Sequence, residues 1–230
     1  MASSAIDALD DIVWRTLAGA HARFATGTGE ARRYAPGFSR IVGFTNRAEP
    51  NLAALAPFCE HGEQFYCDGW SKPPPRGWRI ELEDVMLKMI WDAPIPADEA
   101  PDAIPLGADH VEQALDLVAR THPGPFGPRT LGLGDYFGCF DDGRLVAMAG
   151  ERLSAPPLRE ISGVCTDPLY QGRGYARRLM TKLIAGEMQR GETPCLHVMR
   201  DNETASRLYR RMGFRLHRES VVRVITKEAT

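Results

Sequence analysis

The chain has 230 residues, 43% of them hydrophobic and 25% charged, with a formal net charge of −2. That length and balance suit one large or two small domains of an ordinary globular protein. So small a net charge gives no electrostatic footprint for nucleic acid or an anionic membrane, and no apolar run approaches the roughly 18 residues that a membrane-spanning helix needs.

In chain order, MASSAIDALDDIVW is acidic and has no apolar centre, so it is not read as a secretory signal. SRIVGFT at 39–45 and WRIELEDVMLKMIWD at 78–92 are rich in β-branched and aromatic residues and predict strands. EPNLAALAPFC at 49–59 has helical spacing, and SKPPPRG at 71–77 is a loop. These elements predict an N-terminal α/β unit over 1–95 with no assigned role. A degenerate copy of the C-terminal fold is one expectation for it, although no internal repeat is visible. Cys59, His61 and Cys67 lie close together but form no CxxC and have no second pair, so no metal site is expected. The five cysteines are odd in number and scattered, which fits a reducing cytoplasm better than a disulfide scaffold. DAPIPADEAPDAIP at 92–105 holds four prolines and reads as a linker.

The second half is more regular. AIPLG at 103–107 is a short strand. In ADHVEQALDLVART at 108–121, Val111, Ala114, Leu115 and Val118 fall on one helical face. HPGPFGPRT at 122–130 breaks that helix with prolines and glycines. DYFGCFDDGRLVAMAGERL at 135–153 is a hairpin turning at Asp142-Gly143. LREISGVCTD at 158–167 is a strand, and Tyr175 to Arg190 is a helix with Tyr175, Leu179, Leu183 and Ile184 on one side. TPCLHVMR at 193–200 is a strand. Asn202 to Met212 is a helix with Asn202 as its cap and Gly213 as its stop. RLHRESVVRVITK at 215–227 closes the sheet. The order β-α-β-β-β-α-β-α-β predicts an α/β fold with a mixed sheet and helices on its faces.

The stretch most informative about function is QGRGYA at 171–176, between a strand and a helix. The first turn of a helix has N–H groups without intrahelical partners and carries partial positive charge, so it suits a phosphate. Gly172 and Gly174 let the backbone approach a bulky anion. The string is neither GxxxxGK[ST] nor GxGxxG, which argues against a P-loop and against a dinucleotide-binding oxidoreductase. Further along, at 202–214, stands NETASRLYRRMGF.

Together, Q-G-x-G-x-A and N-x-x-A-x-x-L-Y-x-x-x-G-F resemble the acyl-CoA-binding motifs of the GNAT superfamily of N-acetyltransferases, and within it the small bacterial-type enzymes ending in LYxxxGF. The resemblance covers about residues 104–228, a GNAT-like domain. It implies an acetyl-CoA-dependent N-acetyltransferase that moves an acetyl group to a primary amine by direct attack on the thioester. The runner-up is a non-catalytic acyl-CoA-binding or sensor module, against which the presence of Tyr209 speaks. The resemblance implies that Val164, Cys165 and Thr166 offer backbone groups to the pantetheine arm of acetyl-CoA. It implies that the diphosphate lies on the amides of Gly172, Arg173, Gly174, Tyr175, Ala176 and Arg177, with Gln171 flanking. Arg173 and Arg177 add charge there or remain solvated surface residues. Asn202, with Ala205 beside it, touches the CoA arm, caps a helix, or does both.

Tyr209 matches the family tyrosine that protonates the departing thiolate, and a phenol of ordinary pKa, about 10, is a suitable donor. The base is open between Glu160, His197 and, third, Glu151, or the amine arrives neutral. Phe126 and Arg129 in the 122–130 loop are candidate contacts of the acceptor. Expected partners are a small-molecule or peptide amine and a second copy of the chain in a homodimer, with no nucleic acid and no membrane. The expected location is cytoplasmic.

Overall fold

A computed structural model of the chain describes residues 8–229, so residues 1–7, which open the stretch read against a secretory signal, lie outside it. The N-terminal half forms α1 (Ile12–Ala18), β1 (Ala25–Gly27), β2 (Ala31–Tyr34), β3 (Val42–Phe44), the one-turn helix α2 (Leu52–Leu55), β4 (Gln64–Asp68) and β5 (Trp78–Trp91). The C-terminal half forms β6 (Ile104–Pro105), α3 (Val111–Thr121), β7 (Tyr136–Asp141), β8 (Arg144–Ala155), β9 (Leu158–Thr166), α4 (Tyr175–Gln189), β10 (Thr193–Met199), α5 (Glu203–Met212) and β11 (Phe214–Lys227). This second order is the one expected from the sequence. Its local signals act as expected: Asp142 (φ 46°) and Gly143 (φ 74°) make the left-handed two-residue turn between β7 and β8. On α3 the packed face differs slightly from expectation. Ala114 and Leu117 are buried, with Val111 and Val118 flanking them, and Leu115 is only half-buried.

β1, β2 and β3 form a small sheet, and the other strands form an eight-stranded sheet in the order β4-β11-β5-β10-β9-β8-β7-β6. Only β9 and β10 are parallel neighbours in it. The proline-rich segment 92–105 is therefore not a break between two separately built units. β5, from the first half, is bonded on one edge to β10 and on the other to β11. A strand with both edges paired in this way satisfies its backbone only inside the sheet of the second half. Nor is the N-terminal half a copy of the C-terminal one, since its own sheet has three strands and its two longest strands, β4 and β5, belong to the main sheet. β11 does not close the sheet, because β4 lies outside it. The segment 92–105 is itself held to α4 by ion pairs Asp98–Lys182 (2.8 Å), Glu99–Arg177 (2.6 Å) and Asp102–Arg178 (2.6 Å).

The main sheet is covered on both faces. On one, Leu179, Met180, Leu183 and Ile184 of α4 and Tyr209 of α5 pack on Leu196, Val198 and Phe214. On the other, Ile12 and Leu17 of α1, with Tyr34 and Phe38, pack on Ile90, Leu153, Leu158 and Cys195. Each fully buried aliphatic side chain stabilises the fold by roughly 1.5–3 kcal/mol. The N-terminal half thus acts as a cover for the second face. No helix among the described residues is long and apolar enough to cross a membrane.

Candidate functional site

β9 and β10 are paired from Leu158↔Thr193 to Ile161↔Leu196, and there the pairing stops. Beyond that point β9 follows β8, through Cys165↔Met148 and Thr166↔Ala147, while β10 follows β5 as far as Met199↔Met86. The two strands part, and a gap opens between them. Backbone groups alternate sides along a strand. The Asp167 N–H donates to the Val146 carbonyl (2.8 Å). The backbone of Cys165 therefore also faces β8, and that of Val164 and Thr166 faces the gap. The expected trio is corrected at its middle member: Cys165 serves the ladder, and its thiol is buried beside α3, where burial pushes its pKa up to about 11.

The register between β8 and β9 slips where Gly150 pairs with Ser162 and Met148 with Cys165, so Gly163 and Val164 stand opposite the single residue Ala149. This is a β-bulge, and it re-aims the backbone at the mouth of the gap. Gly163 has φ +63°, and a Cβ there would stand 3.3 Å from the Tyr136 ring. Sequence reasoning missed this position; a glycine inside an apolar strand was the available signal.

The gap ends at the glycine turn. Gly172 (φ 76°) and Gly174 (φ 83°) are left-handed, and nothing stands within 4 Å of where a Cβ would be at either. Gly174 is the N-cap of α4 and has no side chain to satisfy the first-turn N–H groups. The sequence thus leaves a 15-residue helix with an uncapped N-terminus facing open space. Tyr175 is half-buried against Tyr170 and the core, and Ala176 comes next on the first turn. The Gln171 side chain donates to the Thr166 carbonyl (3.5 Å). Arg173 lies over the Tyr170 ring and donates to the Leu169 carbonyl (3.2 Å). Arg177 is committed to Glu99 and is not a free cation at the turn.

Asn202 caps α5, its side-chain oxygen accepting from the Ala205 N–H (3.1 Å). Tyr209, further along the same helix, is 8% exposed and packs edge-on to Phe214. Burial pushes its pKa up to about 12, above the ordinary phenol value, and its hydroxyl makes no hydrogen bond among the described residues.

Two of the three candidate bases meet each other. Glu160 is fully buried and accepts from Arg152 Nε (3.0 Å), Arg152 Nη2 (2.7 Å) and His197 Nδ1 (2.6 Å). Burial raises its pKa, but the Arg152 guanidinium and the His197 ring outweigh that and hold it at about 2. Its role as a free base is thereby corrected, since an ionised carboxylate with both oxygens occupied is a poor proton acceptor. Glu151 is also set aside. It is buried against Arg190 and Arg159, beside Glu187 of α4, away from the gap.

Phe126, Tyr136, Arg152, Ser162 and Gly163 line a narrow cleft under the 122–130 loop. The N-terminal half fixes that loop: the Arg129 N–H donates to the Gly37 carbonyl (2.8 Å), and Ser39 Oγ donates to the Pro125 carbonyl (2.9 Å). Phe126 lines the wall of this cleft. Arg129 does not, because its guanidinium lies 4.2 Å from the Phe38 ring centre as part of the clamp. Arg152 was not foreseen, because its contact with Glu160 depends on sheet pairing.

A crystal structure of a GNAT-family protein from Novosphingobium aromaticivorans, assigned as an acetyltransferase, matches with TM-score 0.87 and 36% identity, covering 96% of this chain and 99% of that one. The chain belongs to the GNAT family. A family model described as FR47-like protein matches residues 136–224, the part of this GNAT chain that holds the gap and both motifs. The N-alpha-acetyltransferase RimI of Mycobacterium tuberculosis is 43% identical over 82 residues, 34% of this chain and 51% of that protein. The mycothiol acetyltransferase of Thermomonospora curvata is 28% identical over 160 residues, 59% of this chain and 52% of that protein. The chain spans about half the length of the curated relatives it matches.

Proposed function

We propose that the protein is an acetyl-CoA-dependent N-acetyltransferase that moves an acetyl group to a primary amine by direct attack on the thioester. The observation that carries this reading is the parting of β9 from β10 beside an uncapped helix entered through two left-handed glycines. In this reading the amide-bearing pantetheine arm fills the gap as a strand would, on the backbone of Val164 and Thr166. The diphosphate rests on the first-turn amides of α4, from Gly172 to Arg177, with Gln171 beside it and Asn202 across the gap. The bulge at Gly163–Val164 turns a backbone N–H toward the thioester oxygen, where a fixed donor stabilises developing charge. Tyr209 gives its proton to the leaving sulfur. Burial keeps the phenol protonated near neutral pH, though as a weaker donor than an ordinary phenol.

The acceptor enters by the cleft of Phe126, Tyr136 and Ser162. The relatives' names span an N-alpha-acetyltransferase and a mycothiol acetyltransferase, so the reading goes no further than a primary amine. The five cysteines are all buried and unpaired, which suits a reducing compartment.

The test has two stages. Acetyl-CoA and CoA, but not NADH or ATP, should raise the melting temperature, because a ligand that binds only the folded state stabilises it. Thiol release with a panel of primary amines should then identify turnover, and Tyr209→Phe should lower kcat by roughly 10²-fold while leaving the acetyl-CoA melting shift intact. Binding without thiol release on any amine would leave the non-catalytic module; no melting shift at millimolar acetyl-CoA would reject both readings.

A further inference from the structure

We propose that His197 is the base of this reaction, with Nε2 as the receiving atom, and that Glu160 is the positioning residue that fixes its ring. The proposal rests on the acetyltransferase reading. Three observations carry it.

The first is the hydrogen-bond arrangement. Glu160 is held ionised by Arg152 through two bonds, so it can only accept, and Nδ1 of His197 at 2.6 Å is the donor. In the neutral ring this leaves Nε2 as the lone-pair atom. The second is an unpartnered nitrogen. The His197 side chain is 6% exposed, and Nε2 is buried with no hydrogen-bond partner among the described residues. Buried polar atoms are rarely left unpaired, and a catalytic role is one of the few explanations for such an atom.

The third is position. His197 directly follows Leu196, the last residue of β10 paired to β9, so it stands at the apex of the gap. Side chains alternate along β10: Leu196 and Val198 face the α4 and α5 side, and Cys195 faces the other. His197 shares the face of Cys195 and of the Arg152 side chain that lines the acceptor cleft. Tyr209 lies on the opposite face. Base and acid thus flank one gap from its two sides, the base toward the acceptor and the acid toward the leaving group.

The atoms balance without a further reagent. The amine nitrogen bonds the thioester carbon, the carbon–sulfur bond breaks, and its electron pair goes to sulfur. The amine proton goes to Nε2, and the sulfur takes the phenol proton. The imidazolium then returns its proton through solvent to the tyrosinate. The charged and titratable groups facing the Glu160–His197 pair are Lys88 of β5, the register partner of His197; Asp68 of β4, which pairs with Lys88; Arg152 of β8; the Cys195 thiol of β10; and the phenols Tyr34 of β2 and Tyr136 of β7, which face Glu160 and Arg152.

The test reads the ring directly and then the reaction, both on the full chain. Long-range nitrogen–proton NMR followed across the ring's titration, with the His197 signal assigned by its loss in His197→Ala, should show the neutral form of the ring carrying its hydrogen on Nδ1 and none on Nε2. Glu160→Asp, which keeps the charge but withdraws it by one methylene, should weaken that preference. With acetyl-CoA and the amine panel, His197→Ala should lower kcat by roughly 10²-fold near neutral pH, leave the KM for acetyl-CoA unchanged, and lose less as pH approaches the amine's own pKa. A retained acetyl-CoA melting shift in His197→Ala shows that the variant is folded. Hydrogen on Nε2 in the neutral form of the wild-type ring overturns the proposal, and so does an undiminished kcat in His197→Ala. If the wild type acetylates no amine, the acetyltransferase reading fails on its own, and the ring spectra still decide whether Nε2 is free to accept.

Discussion

Replacing Glu160 by Gln removes a buried charge and nothing else of size. Its carboxylate is held at about 2 against an ordinary 4.5. At 1.36 kcal/mol for each pH unit, that gap is about 3 kcal/mol of stability at neutral pH. An independent route gives the same order, since breaking a buried ion pair by removing one partner costs about 3–5 kcal/mol. Here the uncompensated partner is Arg152, with a side chain only 11% exposed. The sign comes from the depressed pKa. Wild-type stability from this group is complete above about pH 4.5 and is lost as pH falls toward 2, with less than about half remaining near pH 3. Glu160→Gln should therefore lie about 3 kcal/mol below wild type at pH 7, roughly 6–12 °C in Tm for a chain of this size. The difference should narrow through pH 4 to pH 3. Urea melts at pH 7, 5 and 3, with the slope checked for constancy, measure it. A Gln variant as stable as wild type at pH 7, or a difference unchanged down to pH 3, would refute the account of Arg152 and Glu160 as a charge-linked pair.

Other consequences rest on single positions. Gly174→Val places a branched side chain at φ 83°, where left-handed backbone costs roughly 1–2 kcal/mol, and sets its methyls on the anion path; the chain should stay folded while the acetyl-CoA melting shift disappears, and a retained shift would move the diphosphate elsewhere. Glu187 is fully buried with neither carboxyl oxygen partnered among the described residues, and burial, with Glu151 nearby, holds its pKa well above the ordinary range. The folded state then keeps a proton that the unfolded chain releases above about pH 4.5, so wild-type stability falls as pH rises past that value. Glu187→Gln should gain on wild type between pH 5 and pH 8, which paired melts would show. A chain beginning at residue 100 lacks β5 and should show no cooperative unfolding, because β10 and β11 then face each other across a missing strand; a sharp thermal transition in that fragment would overturn the shared-sheet argument.

What the sequence determined by itself was everything set by neighbours along the chain. The 3.6-residue and two-residue periodicities gave the second half's order of elements, Asp142-Gly143 gave its hairpin, and Asn202 and Gly213 bounded α5. The glycine turn and the spacing from Asn202 to Phe214 were enough to point to the family, because an uncapped helix N-terminus is a local property. The tertiary structure decided what depends on partners far away in sequence. Strand register put β5 between β10 and β11 and so joined two halves that composition had separated, since composition cannot say which edge a strand will bond. The bulge at Gly163 exists only relative to β8. Arg177 reads as a charge beside the phosphate or a solvated surface residue until Glu99, 78 residues earlier, is brought beside it. Glu160 and His197 were rivals as bases in the sequence. They became one hydrogen-bonded unit only because parallel pairing of β9 and β10 sets them on the same face, 37 residues apart in the chain and 2.6 Å apart in space.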